Sequence, residues 1–215
     1  MKTLFIGAKV RKEPNYTKIA NIVNKKIPER KIAICYSNQF VSIAKKLPEF
    51  LKEKEVIQKI QVLGCSNPKF LEGVEAILII GQGKFHSVSL AYETKLPTYI
   101  LEDETIEKIS SEEVKKMEQK ERGMYLKYLE SKKIGILITN KPGQQRLKSA
   151  LNYYKNLKNK NRKKGYLFIA NDLNVNEFEN FQIDCWINTA CPRMDLTYGN
   201  ILNLEKLRNL EKTKF

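Results

Sequence analysis

The sequence predicts an α/β protein of two small domains, each a mainly parallel sheet flanked by helices, joined by a charged helix. Three observations predict it. Short apolar runs of four to six residues alternate with helix-patterned stretches along nearly the whole chain. A polar, highly charged segment, Ser110–Lys133, separates one such series from a second. The 215 residues, 42% of them hydrophobic, can build cores of that size, which argues against disorder, a collagen-like repeat or a disulfide scaffold.

The first domain, 1–105, opens on the expected strand Leu4–Ala8 and the helix Tyr16–Lys26. Strand Ile32–Tyr36, helix Phe40–Lys52 and strand Ile60–Leu63 follow, then a short helix over Phe70–Val74. Strand Ala76–Ile80, helix His86–Glu93 and strand Thr98–Leu101 complete it, with Pro97 where a missing N–H is tolerable. Residues 106–133 are the connecting helix, its apolar positions sparse, with Ser111 as its cap and Glu112 and Glu113 in the first turn. The second domain, 134–204, contains strand Ile134–Thr139, helix Gly143–Leu157, strand Tyr166–Ala170, a helix at Asn176–Phe181 and strand Cys185–Asn188. Residues 205–215 read as a short helix and tail.

No apolar run approaches the length of a membrane span, and MKTLFIGAKVRKEPNY is apolar for only about six residues before charge returns, too short for a secretory signal. A cytoplasmic, reducing setting is expected, in which four Cys point to metal or redox chemistry more than to disulfides. The formal net charge of +15 decides nothing alone. Its densest stretch, Lys155–Lys164, lacks interleaved aromatics and reads better as a solvated helix end than as an anionic partner's surface.

Four stretches carry chemistry. In Gln61-Val62-Leu63-Gly64-Cys65, a strand runs out and a thiol is delivered at its carboxyl end, where open α/β sheets place ligands. In the second domain Cys191 follows a strand in the same way, with Pro192 stopping further pairing and Arg193 placing a cation beside the thiol. Metal or cluster ligation and ordinary core packing both remain open for this pair on spacing alone. Cys35 and Cys185 lie inside strands and read as core residues, and without a CxxC or Cys–His spacing a closed zinc site is disfavoured. Gly81-Gln82-Gly83-Lys84 is a tight strand-to-helix turn or a weak anion cradle, and His86, the only histidine, reads as a turn or capping residue. Thr139-Asn140-Lys141-Pro142-Gly143-Gln144 divides evenly between a ligand loop and an ordinary turn, since it lacks nucleotide P-loop spacing.

Taken together, QVLGCSN, AILIIGQGKFH, ILITNKPGQQRL and above all DCWINTACPRM resemble the diphthamide synthase family, 2-(3-amino-3-carboxypropyl)histidine synthase, in order and spacing. The resemblance runs from the first strand to about Leu204. It implies a 4Fe-4S cluster held by three Cys, one from each of three similar α/β domains, with S-adenosylmethionine at the open iron. Cleavage of the Cγ–S bond then yields a 3-amino-3-carboxypropyl radical that adds to C2 of a histidine of translation elongation factor 2, the first step of diphthamide biosynthesis. By resemblance Cys65 and Cys191 match the middle- and last-domain ligands, and Gly143 and Gln144 fall in the loop assigned to S-adenosylmethionine. The family's first domain, with its Cys, has no counterpart, and its FHP string reads Phe85-His86-Ser87. The implied protein is a two-domain transferase subunit, active only with a separate chain or homologue that supplies the first domain and third Cys, and compatible with an oligomer. Elongation factor 2 is its expected protein substrate, with no membrane and no direct nucleic-acid substrate. A non-catalytic companion to a catalytic synthase is the alternative, and a basic RNA-associated protein a more distant one.

Overall fold

A computed structural model describes residues 13–62, 68–159, 163–192, 194 and 201–212. The chain divides into two compact units, Met1–Glu118 and Gln119–Phe215. In the first, α1 (Tyr16–Lys26) precedes β1 (Lys31–Tyr36), α2 (Val41–Lys46), β2 (Glu55–Gln61), β3 (Ala76–Ile80), α3 (Phe85–Thr94), β4 (Thr98–Glu102) and β5 (Thr105–Lys108). The sheet order is β2-β1-β3-β4-β5, all parallel except the β4–β5 hairpin. α4 (Ser111–Glu130) has residues in both units. The second unit continues with β6 (Lys133–Thr139), α5 (Leu147–Asn159), β7 (Lys164–Ala170), β8 (Cys185–Asn188), β9 (Ile201–Asn203) and α6 (Leu204–Lys212), in the all-parallel order β7-β6-β8-β9. The α/β class with two parallel-dominated sheets is thus as the sequence predicts.

The central strands are apolar on both faces because both are covered, as parallel sheets require. In β3, Leu78 and Ile80 pack with Ile19 and Val23 of α1, while Ile77 and Ile79 turn to the opposite face with Cys35 and Leu90. In β6, Ile134, Ile136 and Ile138 meet Met124, Ala150, Leu157 and Leu207, whereas Leu137 lies with Trp186 and Ile201. Each such side chain contributes roughly 1.5–3 kcal/mol by leaving water. Gly135 pairs in register with Trp186, and a Cβ there would lie 2.3 Å from Trp186 Cε3, so the ring's seat depends on the missing methyl.

Both units carry one device at the amino ends of their sheets. Glu75, just before β3, accepts the backbone N–H groups of Arg30 and Lys31 at 3.0 Å each. Asp184, just before β8, accepts those of Lys132 and Lys133 at 2.8 Å each. In each case a carboxylate before the third strand satisfies the donors where the first strand begins. These bonds hold both carboxyls below their usual range.

Several boundaries depart from expectation. Residues 105–108 form β5, so the helix expected over 106–133 occupies Ser111–Glu130. Its cap is Ser110, not Ser111: Ser110 Oγ accepts from the Glu113 N–H at 3.1 Å while Glu113 accepts from the Ser110 N–H at 2.9 Å, a reciprocal capping box. At the other end the Lys163 ammonium donates to the carbonyls of Tyr128, Leu129 and Ser131, at 2.7, 2.8 and 2.6 Å. The helix over Phe40–Lys52 is α2 flanked by 3-10 turns at Asn38–Phe40 and Leu47–Phe50, with Pro48 opening the second. No helix forms at 70–74, where Gly73 takes φ +87° in a turn, and Val175–Asn180 is a 3-10 helix. β2 begins at Glu55, five residues ahead of the expected start, because a half-exposed strand carries a diluted apolar signal. Leu4–Ala8 lies outside the described residues.

Two outcomes test this packing. Gly135→Ala should cost about 1–3 kcal/mol through overpacking. It should also shift the emission of Trp186, the only tryptophan; unfolding curves followed by fluorescence and by circular dichroism measure both. For Asp184, whose folded pKa is depressed, the stabilisation is present above the unfolded value and lost as pH falls through the folded one. Wild-type stability should therefore decline as pH falls below about 4, with a shallower decline in Asp184→Asn, as read by urea unfolding at each pH.

Candidate cofactor site at the carboxyl edge of the second sheet

In the order β7-β6-β8-β9 the chain leaves β6 toward one side of the sheet and β8 toward the other. The crevice outside the carboxyl ends of β6 and β8 is therefore the topological switch point, where open α/β sheets bind ligands. The loop after β6 contains Gly143 and Gln144, and the loop after β8 contains Cys191.

The β6 loop is a defined turn. The Gln144 N–H donates to the Lys141 carbonyl at 3.1 Å, Pro142 is the second residue, and Gly143 takes φ +78°. Pro at the second position and Gly with positive φ at the third are the signature of a type II turn, which a side chain at Gly143 would strain. The expected helix start at Gly143 is thus displaced to Leu147. Thr139 Oγ1 accepts from the Lys141 N–H at 3.1 Å and donates to the Asn171 carbonyl at 3.1 Å, while Lys141 pairs with Asp172.

The β8 loop is held more tightly. The Thr189 N–H and hydroxyl both donate to the Leu137 carbonyl, at 3.1 and 2.7 Å. Asn188 Nδ2 donates to the Cys191 carbonyl at 2.7 Å and to Asn203 Oδ1 at 2.6 Å, and its Oδ1 accepts from the Ala190 N–H at 2.8 Å. Asn203 Nδ2 donates to the Pro192 carbonyl at 2.9 Å. Both asparagines are at least 95% buried, at 2% and 5% exposure, so their amides are spent on this loop instead of on water. Neither asparagine stands out in the sequence as a functional residue. The available signal was that two short apolar strands, CWIN and ILN, each close on an Asn.

Cys191 carries a free, half-buried thiol at this edge. Cys35 and Cys185 are fully buried, and burial pushes their thiols up to about 12 and about 11. Neither is poised to ligate or react. Cys65 and Arg193 lie outside the described residues, although β2 and Val62, which lead into the Cys65 segment, are described. Among the described strands, the two cysteine-bearing segments follow strands of different rank. β2 is the second described strand of its unit and, among the described residues, pairs with β1 alone, whereas β8 is the third of its own and pairs with β6 and β9. By topology the first-unit counterpart of the Cys191 loop is the turn after β3, Gly81-Gln82-Gly83-Lys84. There the Gly83 N–H is directed at Glu102 Oε1, 3.4 Å away, so a carboxylate already faces the donor an anion would need. His86 lies in the first turn of α3.

The chain matches the family model "Putative diphthamide synthesis protein" over residues 1–200. The chain belongs to this family. It is 30% identical over 209 residues to the 2-(3-amino-3-carboxypropyl)histidine synthase of Pyrococcus horikoshii, covering 92% of this chain and 60% of that protein. To the enzyme of the same name from Methanocaldococcus jannaschii it is 30% identical over 206 residues, covering 91% of this chain and 56% of the relative. The chain thus spans a little under two thirds of the length of these relatives. Among solved structures it is similar to Dph2 from Pyrococcus horikoshii, with a TM-score of 0.78 at 25% identity over 92% of this chain and 63% of that one. A structure of the same protein with a 4Fe-4S cluster gives a TM-score of 0.76 at 26% identity over 91% of this chain and 63% of that one. No helix among the described residues is long and apolar enough to cross a membrane.

A thiol reagent applied to the folded apo protein should modify Cys191 readily and leave Cys35 and Cys185 unmodified at neutral pH. Peptide mass spectrometry reads all three, and equal labelling of Cys185 and Cys191 would contradict the burial assigned to them.

Proposed function

We propose that this member of the diphthamide synthesis family supplies two of the three α/β domains of a 2-(3-amino-3-carboxypropyl)histidine synthase. The assembly transfers the 3-amino-3-carboxypropyl group of S-adenosylmethionine to C2 of a histidine of translation elongation factor 2, in the cytoplasm. The observation that carries this reading is the free, half-buried Cys191 thiol at the switch point of a parallel sheet, in a chain whose structural relative is described with a 4Fe-4S cluster.

The donor set fits such a group. Cysteine thiolates are the ligands iron–sulfur clusters take, and Cys191 is free where the two buried cysteines are not accessible. Cys65 and Cys191 would hold two corners of the cluster, with a third thiolate from outside these 215 residues. When bound, the cluster supplies the electron that opens the Cγ–S bond of S-adenosylmethionine. The chain's own contribution is positional. The bonds from Thr189, Asn188 and Asn203 fix the backbone that presents Cys191, and the Lys141–Gln144 turn offers a rigid wall for S-adenosylmethionine through Gly143 and Gln144.

Anaerobic co-expression with a candidate first-domain chain should yield about four irons per complete site, together with modified elongation factor. Cys65→Ala and Cys191→Ala should each reduce iron and sulfide content and abolish transfer. Full activity in both variants would overturn the reading. Wild-type protein that promotes transfer by a separate complete synthase while holding no iron would identify it instead as a non-catalytic companion.

A further inference from the structure

The buried Asn188–Asn203 pair does more than satisfy the end of a sheet. Four of its hydrogen bonds define one object: Asn188 joined to Asn203, the Ala190 N–H held by Asn188 Oδ1, the Cys191 carbonyl held by Asn188 Nδ2, and the Pro192 carbonyl held by Asn203 Nδ2. The Met194 N–H adds a second donor to the Cys191 carbonyl at 3.2 Å. The peptide group that precedes Ala190 and those that follow Cys191 and Pro192 are therefore each oriented by a side chain that cannot relax into water. With its carbonyl held by two donors the backbone at Cys191 is restrained, and a thiol on a restrained backbone has few staggered positions to choose among.

We propose that Asn188 and Asn203 are positioning residues that set the direction of the Cys191 thiolate before any cluster is bound, and thereby tune cluster retention and potential. The proposal rests on the reading of Cys191 as a cluster ligand. The chemistry also favours amides over any other side chain at these two places. Asn188 must accept one hydrogen bond and donate two, and Asn203 must accept one and donate one. A carboxylate of the same shape can only accept. An Asp at 188 would face the Cys191 carbonyl and Asn203 Oδ1 with no proton to offer, and an Asp at 203 would face the Pro192 carbonyl in the same way. Both strands ending here are short, β8 of four residues and β9 of three, so their own ladders give little to hold the loop if the pair is broken. The pair also links β8 to β9 through side chains at the last register position, where Asn188 and Asn203 are partners.

The test uses the full chain as Asn188→Asp and Asn203→Asp, with Cys185→Ala as a control for a nearby buried change. In the apo protein, alkylation of Cys191 should run several-fold faster in both Asp variants than in wild type, and at the wild-type rate in Cys185→Ala. In the reconstituted protein, the Asp variants should retain iron about 10- to 100-fold more weakly, as loss of outer partners of metal ligands does. They should also show a shifted reduction potential and altered electron paramagnetic resonance of the reduced cluster. If Asn188→Asp does not fold, Asn203→Asp, which keeps its acceptor to Asn188, decides alone. Folded Asp variants with wild-type alkylation rates, iron retention and spectra would overturn the proposal. Faster alkylation in the variants, with no iron bound by wild type even beside its first-domain partner, would leave the positioning role standing and overturn the cluster reading instead.

Discussion

Parallel strands cannot be joined by a tight turn, and this single constraint arranges the rest of the molecule. Each connection must cross over the sheet, so every strand of the second unit delivers its following loop to the same edge. With β6 central and β7 and β8 on its two sides, the crossovers must separate at the carboxyl ends of β6 and β8. The loop bearing Gly143 and the loop bearing Cys191 are the two that flank this point. The candidate site is located by topology before any side chain is considered.

The two edges of the sheet are then treated differently. At the amino edge an exposed carboxylate closes the ladder, Asp184 in one unit and Glu75 in the other, and water can replace much of what it does. At the carboxyl edge of the second unit the closing groups are neutral amides, buried and fully committed. A buried charge there would be costly to desolvate and would impose its own field on the neighbouring Cys191 thiol. Neutral amides fix the backbone without that field. The repeated amino-edge device and the shared strand order mark the two units as variations on one plan, and the difference at the carboxyl edge separates the unit with a described thiol loop from its counterpart.

Most of the architecture was legible because central strands such as AILII and KIGILIT are buried on both faces and read as continuous apolar runs. What failed to show was whatever is short or half-exposed. β5 and β9 have four and three residues, too few for a period to register, and β2 hides its apolar positions among Lys, Gln and Glu. Proline and glycine at 142 and 143 announced a turn, yet the Lys141–Gln144 bond that closes it, and so delays α5 to Leu147, belongs to the folded chain. Cys191 was visible as a thiol after a strand. Asn188 and Asn203 were not visible as a pair, because fifteen positions separate them and only the parallel pairing of β8 with β9 brings them together.

The central claim is that the loop after β8 presents Cys191 as a ligand to iron. Crystals of the anaerobically assembled protein, with diffraction recorded on both sides of the iron absorption edge, test it most directly. The account predicts anomalous density bonded to Cys191 Sγ, with the Asn188–Asn203 amides in the arrangement described. Iron bound elsewhere while Cys191 remains a free thiol would contradict it.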